Sequence, residues 1–174
     1  MFREFPQRLR RLVGPVLLYA LLPAVAIAAA LPPPEGDVLL RVEGDIAHPN
    51  VEDELHLDRE QLMQLPSRVI ETRIPWAQGT FRFEGPLLRA VLAAAGARAD
   101  HVRVRALNDY EAEIPVADFH DYDVILALER NGSPIAVRDF GPLQVLYPFD
   151  EYPELLTESI RFRSVWHVES IHVP

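Results

Sequence analysis

Residues 102–137 read VRVRALNDYEAEIPVADFHDYDVILALERNGSPIAV, and this stretch decides the fold class. In its first half, strand-like runs at Val102–Leu107 and Tyr110–Ile114 flank Asn108-Asp109. Asparagine and aspartate tolerate the backbone angles of a tight turn, so this pattern predicts a β-hairpin.

The second half of the stretch repeats this pattern. Strand-like runs at 123–129 and 134–137 flank Arg130-Asn131-Gly132-Ser133, which predicts a second hairpin. Several hairpins with few helices are typical of an α+β fold. The sequence therefore predicts a mixed, largely antiparallel sheet with short helices.

The rest of the chain extends this prediction in both directions. Asp58 is followed three residues later by Gln61, the pattern of a capping box at the start of a short helix. Pro86 and Gly96 flank Leu87–Ala95, which predicts a second helix with proline in its first turn and glycine after its end. Further strands are predicted at 38–43, 55–57, 69–74, 80–83, 143–147 and 164–173.

The first thirty residues have the three parts of a secretory signal peptide. Four arginines and Glu4 precede an apolar stretch at 12–27, which ends in Ala28-Ala29-Ala30. This pattern predicts cleavage before Leu31 and export to the periplasm. The alternative is an uncleaved membrane anchor, since the apolar stretch is close to one bilayer width.

Composition limits what the exported part can do. Residues 31–36 predict a proline-rich spacer, and 37–174 form one domain with a sizeable core. After residue 30 there remain 13 arginines, no lysine, and 25 aspartates and glutamates. Such an acidic chain is a poor ligand for nucleic acid. The chain has no cysteine, so it forms no disulfide.

The common catalytic and metal-binding patterns are absent from the sequence. There is no G-x-S-x-G, H-E-x-x-H or P-loop motif. The histidines lie far apart, and the closest pair is His167 and His172. The acidic clusters at 52–54 and 118–123 lack the ligand spacing of a calcium loop. The motifs therefore predict no catalytic residues and no metal ligands.

Several predicted loops combine aromatic and polar residues with glycine or proline, as binding sites do. The candidate ligand-binding residues taken from them are Trp76, Asn108, Asp109, Tyr110, Arg138, Asp139, Gly141, Tyr147, Ser164 and Trp166. Each has an ordinary alternative. The aromatic residues fit a core, Asn108-Asp109 fits a simple turn, and Arg138 with Asp139 fits an exposed ion pair of little energetic value.

Taken in chain order, these segments resemble the oxidoreductase molybdopterin-binding domain, the catalytic fold of sulfite oxidase and its bacterial relatives. The resemblance covers about residues 37–173 and implies a sulfite-oxidase-type fold. It rests on Gly44-Asp45-Ile46, Phe83-Glu84-Gly85-Pro86-Leu87, Leu107-Asn108-Asp109-Tyr110, Asp123–Ala127 with Asn131–Pro134, Gly141-Pro142-Leu143 with Tyr147-Pro148, and Ser164-Val165-Trp166.

One departure from that family concerns its metal. In those enzymes a cysteine thiolate binds molybdenum, and an approximate alignment places this cysteine at Thr72 or Arg73. No cysteine occurs anywhere in the chain, so the resemblance implies that the fold is kept while the thiolate-bound molybdenum is lost.

The same resemblance implies a metal-free, reduced pterin as the ligand. A pterin ring has an edge that donates two parallel hydrogen bonds, a carbonyl that accepts one, and a face for stacking. A carboxylate, an arginine or backbone N–H, and an aromatic ring suit these three parts. The candidates are Asp109 or Asp139 for the edge, Arg138 for the carbonyl, and Trp76, Tyr110 or Trp166 for the face.

The predicted function is that of a non-catalytic periplasmic pterin-binding protein. Small periplasmic proteins that the sequence resembles relay pterin signals to membrane sensors with diguanylate cyclase and phosphodiesterase domains, which control cyclic-di-GMP and biofilm formation. Two alternatives stay open: a molybdopterin-dependent oxidoreductase without a protein thiolate, and a structural partner domain with an empty pocket.

Overall fold

The computed structural model describes residues 30–174. The predicted signal peptide, residues 1–30, lies outside these residues except for its last alanine, so its cleavage stays a prediction. Within the described residues, no helix is both long enough and apolar enough to cross a membrane.

Strands dominate the described part of the chain, and its helices are short. The strands are β1 (Leu40–Gly44), β2 (Leu55–Leu57), β3 (Ser67–Ile74), β4 (Ala77–Pro86), β5 (His101–Ala106), β6 (Glu111–Pro115), β7 (Ile125–Ala127), β8 (Glu129–Arg130), β9 (Ser133–Pro134), β10 (Gln144–Leu146) and β11 (Val168–Val173). The α-helices are α1 (Arg59–Gln64), α2 (Leu88–Ala95), α3 (Val116–Asp121) and α4 (Glu158–Arg163). Short 3₁₀ turns cover Val137–Asp139 and Pro153–Leu155.

The strands form three sheets rather than the single sheet that the sequence suggested. A five-stranded sheet has the order β2-β1-β11-β5-β6, a four-stranded sheet has the order β3-β4-β8-β9, and β10 pairs with β7. Within residues 30–174, β1 and β11 form the only parallel pair among these strands. The predicted α+β class with mixed, largely antiparallel pairing is therefore confirmed.

Both predicted hairpins are present, with backbone angles that suit their turn residues. β5 pairs with β6 around a turn in which Asp109 has φ 62°. β8 pairs with β9 around Asn131 and Gly132, which have φ 53° and 75°. Positive φ at both central residues is the geometry that Asn-Gly adopts most readily, so this turn fixes the register of its hairpin.

Alternating apolar residues build the core between the sheets and helices. On β5, for example, Val102, Val104 and Ala106 are buried while the residues between them are not. The face of the five-stranded sheet that carries these residues packs into the core, together with the apolar side of α2. Burial of this surface is the main driving force for folding.

The opposite face of the five-stranded sheet is charged and solvated. We call it the outer face and define it by Arg41, Arg103, Arg105, Glu111 and Glu169. Its arginines lie opposite carboxylates: Glu169 is 3.5 Å from Arg41 and 3.6 Å from Arg105, and Glu111 is 3.8 Å from Arg103. Antiparallel sheets commonly leave one face to water in this way.

The structure corrects the sequence at several element boundaries. Pro86 ends β4 instead of lying in the first turn of a helix, and α2 starts at Leu88. Val137, predicted as the end of a strand, instead begins the 3₁₀ turn Val137–Asp139. The helices α3 and α4 were not predicted. The N-cap residue of α3 is Pro115, whose side chain makes no capping hydrogen bond.

The proline-rich residues 31–36, predicted as a spacer, are bound to the domain. The Asp58 carboxylate accepts backbone N–H groups from Glu35 at 3.1 Å and Gly36 at 3.0 Å. The Pro32 carbonyl accepts hydrogen bonds from the side chains of Asn50 and Gln61. Asp58 also caps α1 as predicted, with Gln61 completing the capping box.

Candidate functional site

Five of the ten predicted site residues meet in one cavity. The β3–β4 turn, the β5–β6 turn and the segment from α4 to β11 enclose a pocket of about 350 Å³. This volume lies within the range of small-molecule sites. We call it the aromatic pocket; its lining is Trp76, Asn108, Tyr110, Arg161, Phe162, Ser164, Val165 and Trp166.

Two tryptophans form the inner wall of the aromatic pocket. Trp76 occupies the two-residue turn between β3 and β4, and its ring meets that of Trp166 edge to face, with centroids 5.3 Å apart. Phe140 stacks on Trp166 at 4.4 Å, and Phe149 meets Trp76 edge to face at 6.2 Å. Such pairs hold the rings in defined orientations.

The outer rim of the pocket joins the β5–β6 turn to α4. The Tyr110 hydroxyl donates a hydrogen bond to the Phe162 carbonyl at 2.8 Å. Burial raises the pKa of Tyr110, so the phenol keeps the proton that it donates. The Phe162 ring is largely exposed. The rim therefore presents apolar aromatic surface next to the cavity.

A buried polar network holds α4 in place. Arg163, the last residue of α4, donates to Asp118 of α3 at 3.0 Å, and the Tyr147 hydroxyl donates to the same carboxylate oxygen at 2.7 Å. Burial and the neighbouring Asp118 raise the pKa of Tyr147, which therefore stays a donor. Ser164 donates to the Ile160 carbonyl at 2.8 Å. These bonds fix the wall of the pocket that carries Arg161 and Phe162.

The polar groups of the aromatic pocket that lack a partner are hydrogen-bond donors. The indole Nε1 of Trp76 is buried and has no acceptor within the described residues. The Arg161 guanidinium makes no hydrogen bond or ion pair within residues 30–174. Buried donors are nearly always satisfied, so the unpartnered Trp76 N–H is an exception within the described residues.

The other five predicted residues do not line this pocket. Asp109 is 81% exposed and bonds to Arg105 at 2.5 Å, and Arg138 is 89% exposed with Asp139 at 3.6 Å. The fold places Gly141 and Tyr147 away from the lining as well.

Gly141 and Tyr147 serve packing. A Cβ on Gly141 would lie 1.9 Å from the Ile135 carbonyl oxygen, so the close approach that this glycine permits is to the protein's own backbone. Tyr147 is fully buried with its hydroxyl bonded to Asp118. Neither residue is available to a ligand in the aromatic pocket.

Sequence reasoning missed the pocket residues contributed by α4, Arg161 and Phe162, because the helix was not predicted. A signal for it exists in the sequence: Thr157 caps the helix, Glu158 lies in its first turn and Arg163 in its last. That order of a capping hydroxyl, an acid and then a base matches the helix dipole.

The position aligned with the family's cysteine is not available to a metal. Thr72 is fully buried; its hydroxyl donates to the Arg73 carbonyl and accepts the Asp150 N–H, both at 3.0 Å. The Arg73 guanidinium bonds to the Asp150 carboxylate. No group of three or more histidine, aspartate or glutamate side chains within residues 30–174 is arranged to hold a metal ion. The residues present therefore do not fit a thiolate-bound molybdenum.

A larger groove of about 650 Å³ lies beside α1 and contains none of the predicted residues. Two of its polar side chains have partners within the fold: Asp58 accepts backbone N–H groups and Arg59 bonds to Glu129 at 2.5 Å. The aromatic pocket is the better candidate because it brings together five of the ten predicted residues.

The chain is similar to proteins of one known family. The family model of the oxidoreductase molybdopterin binding domain matches residues 36–150. The crystal structure of the sulfane dehydrogenase SoxCD from Paracoccus pantotrophus is similar, with a TM-score of 0.58 and 18% identity. The match covers 83% of this chain and 40% of that chain, so this chain spans less than half of that protein's length. No curated protein matches the sequence significantly.

Proposed function

This chain belongs to the oxidoreductase molybdopterin binding domain family, and from this premise we propose that it is a non-catalytic protein that binds a metal-free, reduced pterin. The observation that carries the proposal is the aromatic pocket, whose buried Trp76 N–H lacks an acceptor. It occurs in a member of that family whose own sequence has no cysteine thiolate for molybdenum.

The pocket offers two of the three contacts expected for a pterin. Trp76, Tyr110 and Trp166 supply aromatic surface for stacking, and the Trp76 N–H suits the ring carbonyl. The carboxylate for the donor edge is not among the lining residues. Asp109 follows Asn108 at the rim, and its carboxylate reaches a ligand if it leaves Arg105, its partner at 2.5 Å.

Ligand identification tests the proposal directly. Protein purified from its native source is denatured, and the released small molecules are identified by mass spectrometry. We expect a pterin, released without molybdenum. Calorimetric titration of the emptied protein with a reduced pterin is then expected to show one site per chain. Absence of any pterin in the native protein, together with no binding in the titration, contradicts the proposal.

Elemental analysis separates this proposal from the molybdopterin-dependent oxidoreductase. Since Thr72 is buried and fully hydrogen-bonded, we expect molybdenum far below one atom per chain. Stoichiometric molybdenum with a released pyranopterin contradicts the proposal and favours the molybdopterin-dependent oxidoreductase. Release of no small molecule at all favours a structural partner domain.

The proposal extends to the location and the partner of the protein. The signal-peptide pattern supports a periplasmic location, and the resemblance supports a relay of pterin signals to the periplasmic part of a membrane-bound diguanylate cyclase or phosphodiesterase. Deletion of the gene is expected to change cyclic-di-GMP and surface attachment, with rescue by the wild-type protein. Unchanged cyclic-di-GMP with and without added pterin contradicts the relay while leaving pterin binding intact.

A further inference from the structure

Ion pairing is nearly complete among the arginines of this acidic chain. Of the 13 arginines after residue 30, eleven have a carboxylate oxygen within 4 Å in the described structure. The two exceptions are Arg98 and Arg161. A single unpaired surface arginine carries little information, so the surroundings of these two residues decide what they mean.

The surroundings of the two arginines differ. Arg98 is exposed in the segment after α2, outside the lining of the aromatic pocket. Arg161 lines the aromatic pocket beside Trp76 and Trp166. No aspartate or glutamate lines this pocket, although 25 of them follow residue 30. Among the described residues, Arg161 is thus the one charged side chain in the lining of this pocket.

The unpartnered groups of the pocket therefore favour a ligand that accepts hydrogen bonds and carries a negative charge. The Trp76 N–H and the Arg161 guanidinium both donate hydrogen bonds, and the guanidinium also carries a charge. Arginine binds carboxylates and phosphates through two parallel hydrogen bonds, and such charge-assisted bonds are about twice as strong as neutral ones. A flat ring with an acidic substituent matches the whole set.

We infer that the ligand of the aromatic pocket is a pterin whose side chain carries an acidic group, with Arg161 binding that group and the aromatic rings binding the bicycle. This inference rests on the proposed pterin-binding function and adds the charge of the ligand to it. Arg161 is then the residue that distinguishes acidic from neutral pterins.

Two probes that differ only at the 6-substituent, an anionic carboxylate in one and a neutral hydroxymethyl group in the other, test the inference. The 7,8-dihydro forms of 6-carboxypterin and 6-hydroxymethylpterin are titrated into the full protein without oxygen at low salt. We expect the wild-type protein to bind the carboxylate about tenfold more tightly or better, the range for a charge-assisted hydrogen bond. The preference is expected to fall in high salt, because Arg161 is exposed and salt screens its charge.

Matched variants assign the preference to Arg161. Arg161→Ala and Arg161→Gln are expected to lose the preference, so that each variant binds the two probes with similar affinity. Arg98→Ala removes the same charge from outside the pocket and is expected to keep the full preference. Thermal melts check that each variant is folded; the two substitutions at Arg161 keep the test available if one of them is unstable.

The outcomes separate the inference from the proposed function. Equal binding of both probes by the wild-type protein contradicts the inference that the pterin carries an acidic group. A preference that survives loss of Arg161 contradicts the role of Arg161. Both outcomes leave the proposed pterin binding intact. An equal loss of preference in Arg98→Ala shows a general charge effect and also overturns the role of Arg161. Binding of neither probe overturns the proposed function and, with it, the inference.

Discussion

The outer face of the five-stranded sheet and the aromatic pocket use polar groups in opposite ways. On the outer face, Arg41 and Arg105 share Glu169, so the charges are matched within the protein and open to water. In the aromatic pocket, the Trp76 N–H and Arg161 lack partners within the described residues. The difference shows that a high density of charged residues does not by itself indicate a binding site. Polar groups without a partner that lie beside a cavity are the better indication.

The largest effect is expected where the pocket wall is anchored. Asp118→Ala leaves the buried Tyr147 hydroxyl and Arg163 without their acceptor, so we expect the free energy of unfolding to fall by about 2–4 kcal/mol. Glu169→Ala on the outer face is the control and is expected to cost less than about 0.5 kcal/mol, because exposed ion pairs contribute little.

Urea denaturation measures both values. If the free energy of unfolding falls by a similar amount in both variants, the pocket wall and the outer face do not differ in their contribution to stability. A loss at Asp118 that also lowers pterin affinity supports its role in positioning α4.

A smaller effect is expected for a carboxylate that binds backbone amides instead of arginines. Asp58 accepts N–H groups from Gln61, Gly36 and Glu35, and these hydrogen bonds, that of Gln61 first, lower the pKa of Asp58. Asp58→Ala is expected to lower the free energy of unfolding by about 1–2 kcal/mol, the range for loss of an N-cap.

The pH dependence of this contribution follows from the direction of the shift. Since the folded pKa of Asp58 lies below the unfolded value of about 3.9, the contribution is complete above that pH and is lost as the pH falls through the folded pKa. Asp58→Asn keeps one acceptor and is expected to cost less at neutral pH. Urea denaturation from pH 7 to 3 measures this, and a wild-type-minus-Ala difference that grows as the pH falls contradicts it.

Within the pocket, Trp76→Phe tests the unmatched N–H. The substitution keeps an aromatic ring and removes one donor, so pterin affinity is expected to fall about two- to tenfold, the value of a neutral hydrogen bond. The melting temperature of the free protein is expected to fall modestly, because the smaller ring loses part of its packing against Trp166 and Phe149. Calorimetric titration measures the affinity, and an unchanged affinity shows that the ligand does not use this group.

The smallest effect is expected for Arg138→Ala. The sequence favoured Arg138 as the partner of the pterin carbonyl, but its side chain is 89% exposed and lies outside the pocket lining. We expect a stability change within about 0.5 kcal/mol, as for other surface substitutions, and affinity within about twofold. A drop in pterin affinity of tenfold or more would show that Arg138 contacts the ligand after all.

The sequence by itself determined the features that depend on local chemistry. Asn131-Gly132 fixed a hairpin because both residues adopt positive φ, and Gly96 ended α2 in the left-handed conformation. The absence of cysteine removed the family's metal ligand from the chain. These features need only neighbouring residues, so alternation, turn residues and composition predict them.

Only the tertiary structure decided which loops meet. Trp76 and Trp166 lie ninety residues apart in the chain and pack at 5.3 Å, while Arg138 and Tyr147 came from equally promising loops and lie elsewhere. Arg161 entered the site through α4, whose six residues bury only Ile160 and give almost no apolar pattern. Contacts between distant segments depend on how strands pair and how the core packs, and no local pattern in the sequence records that.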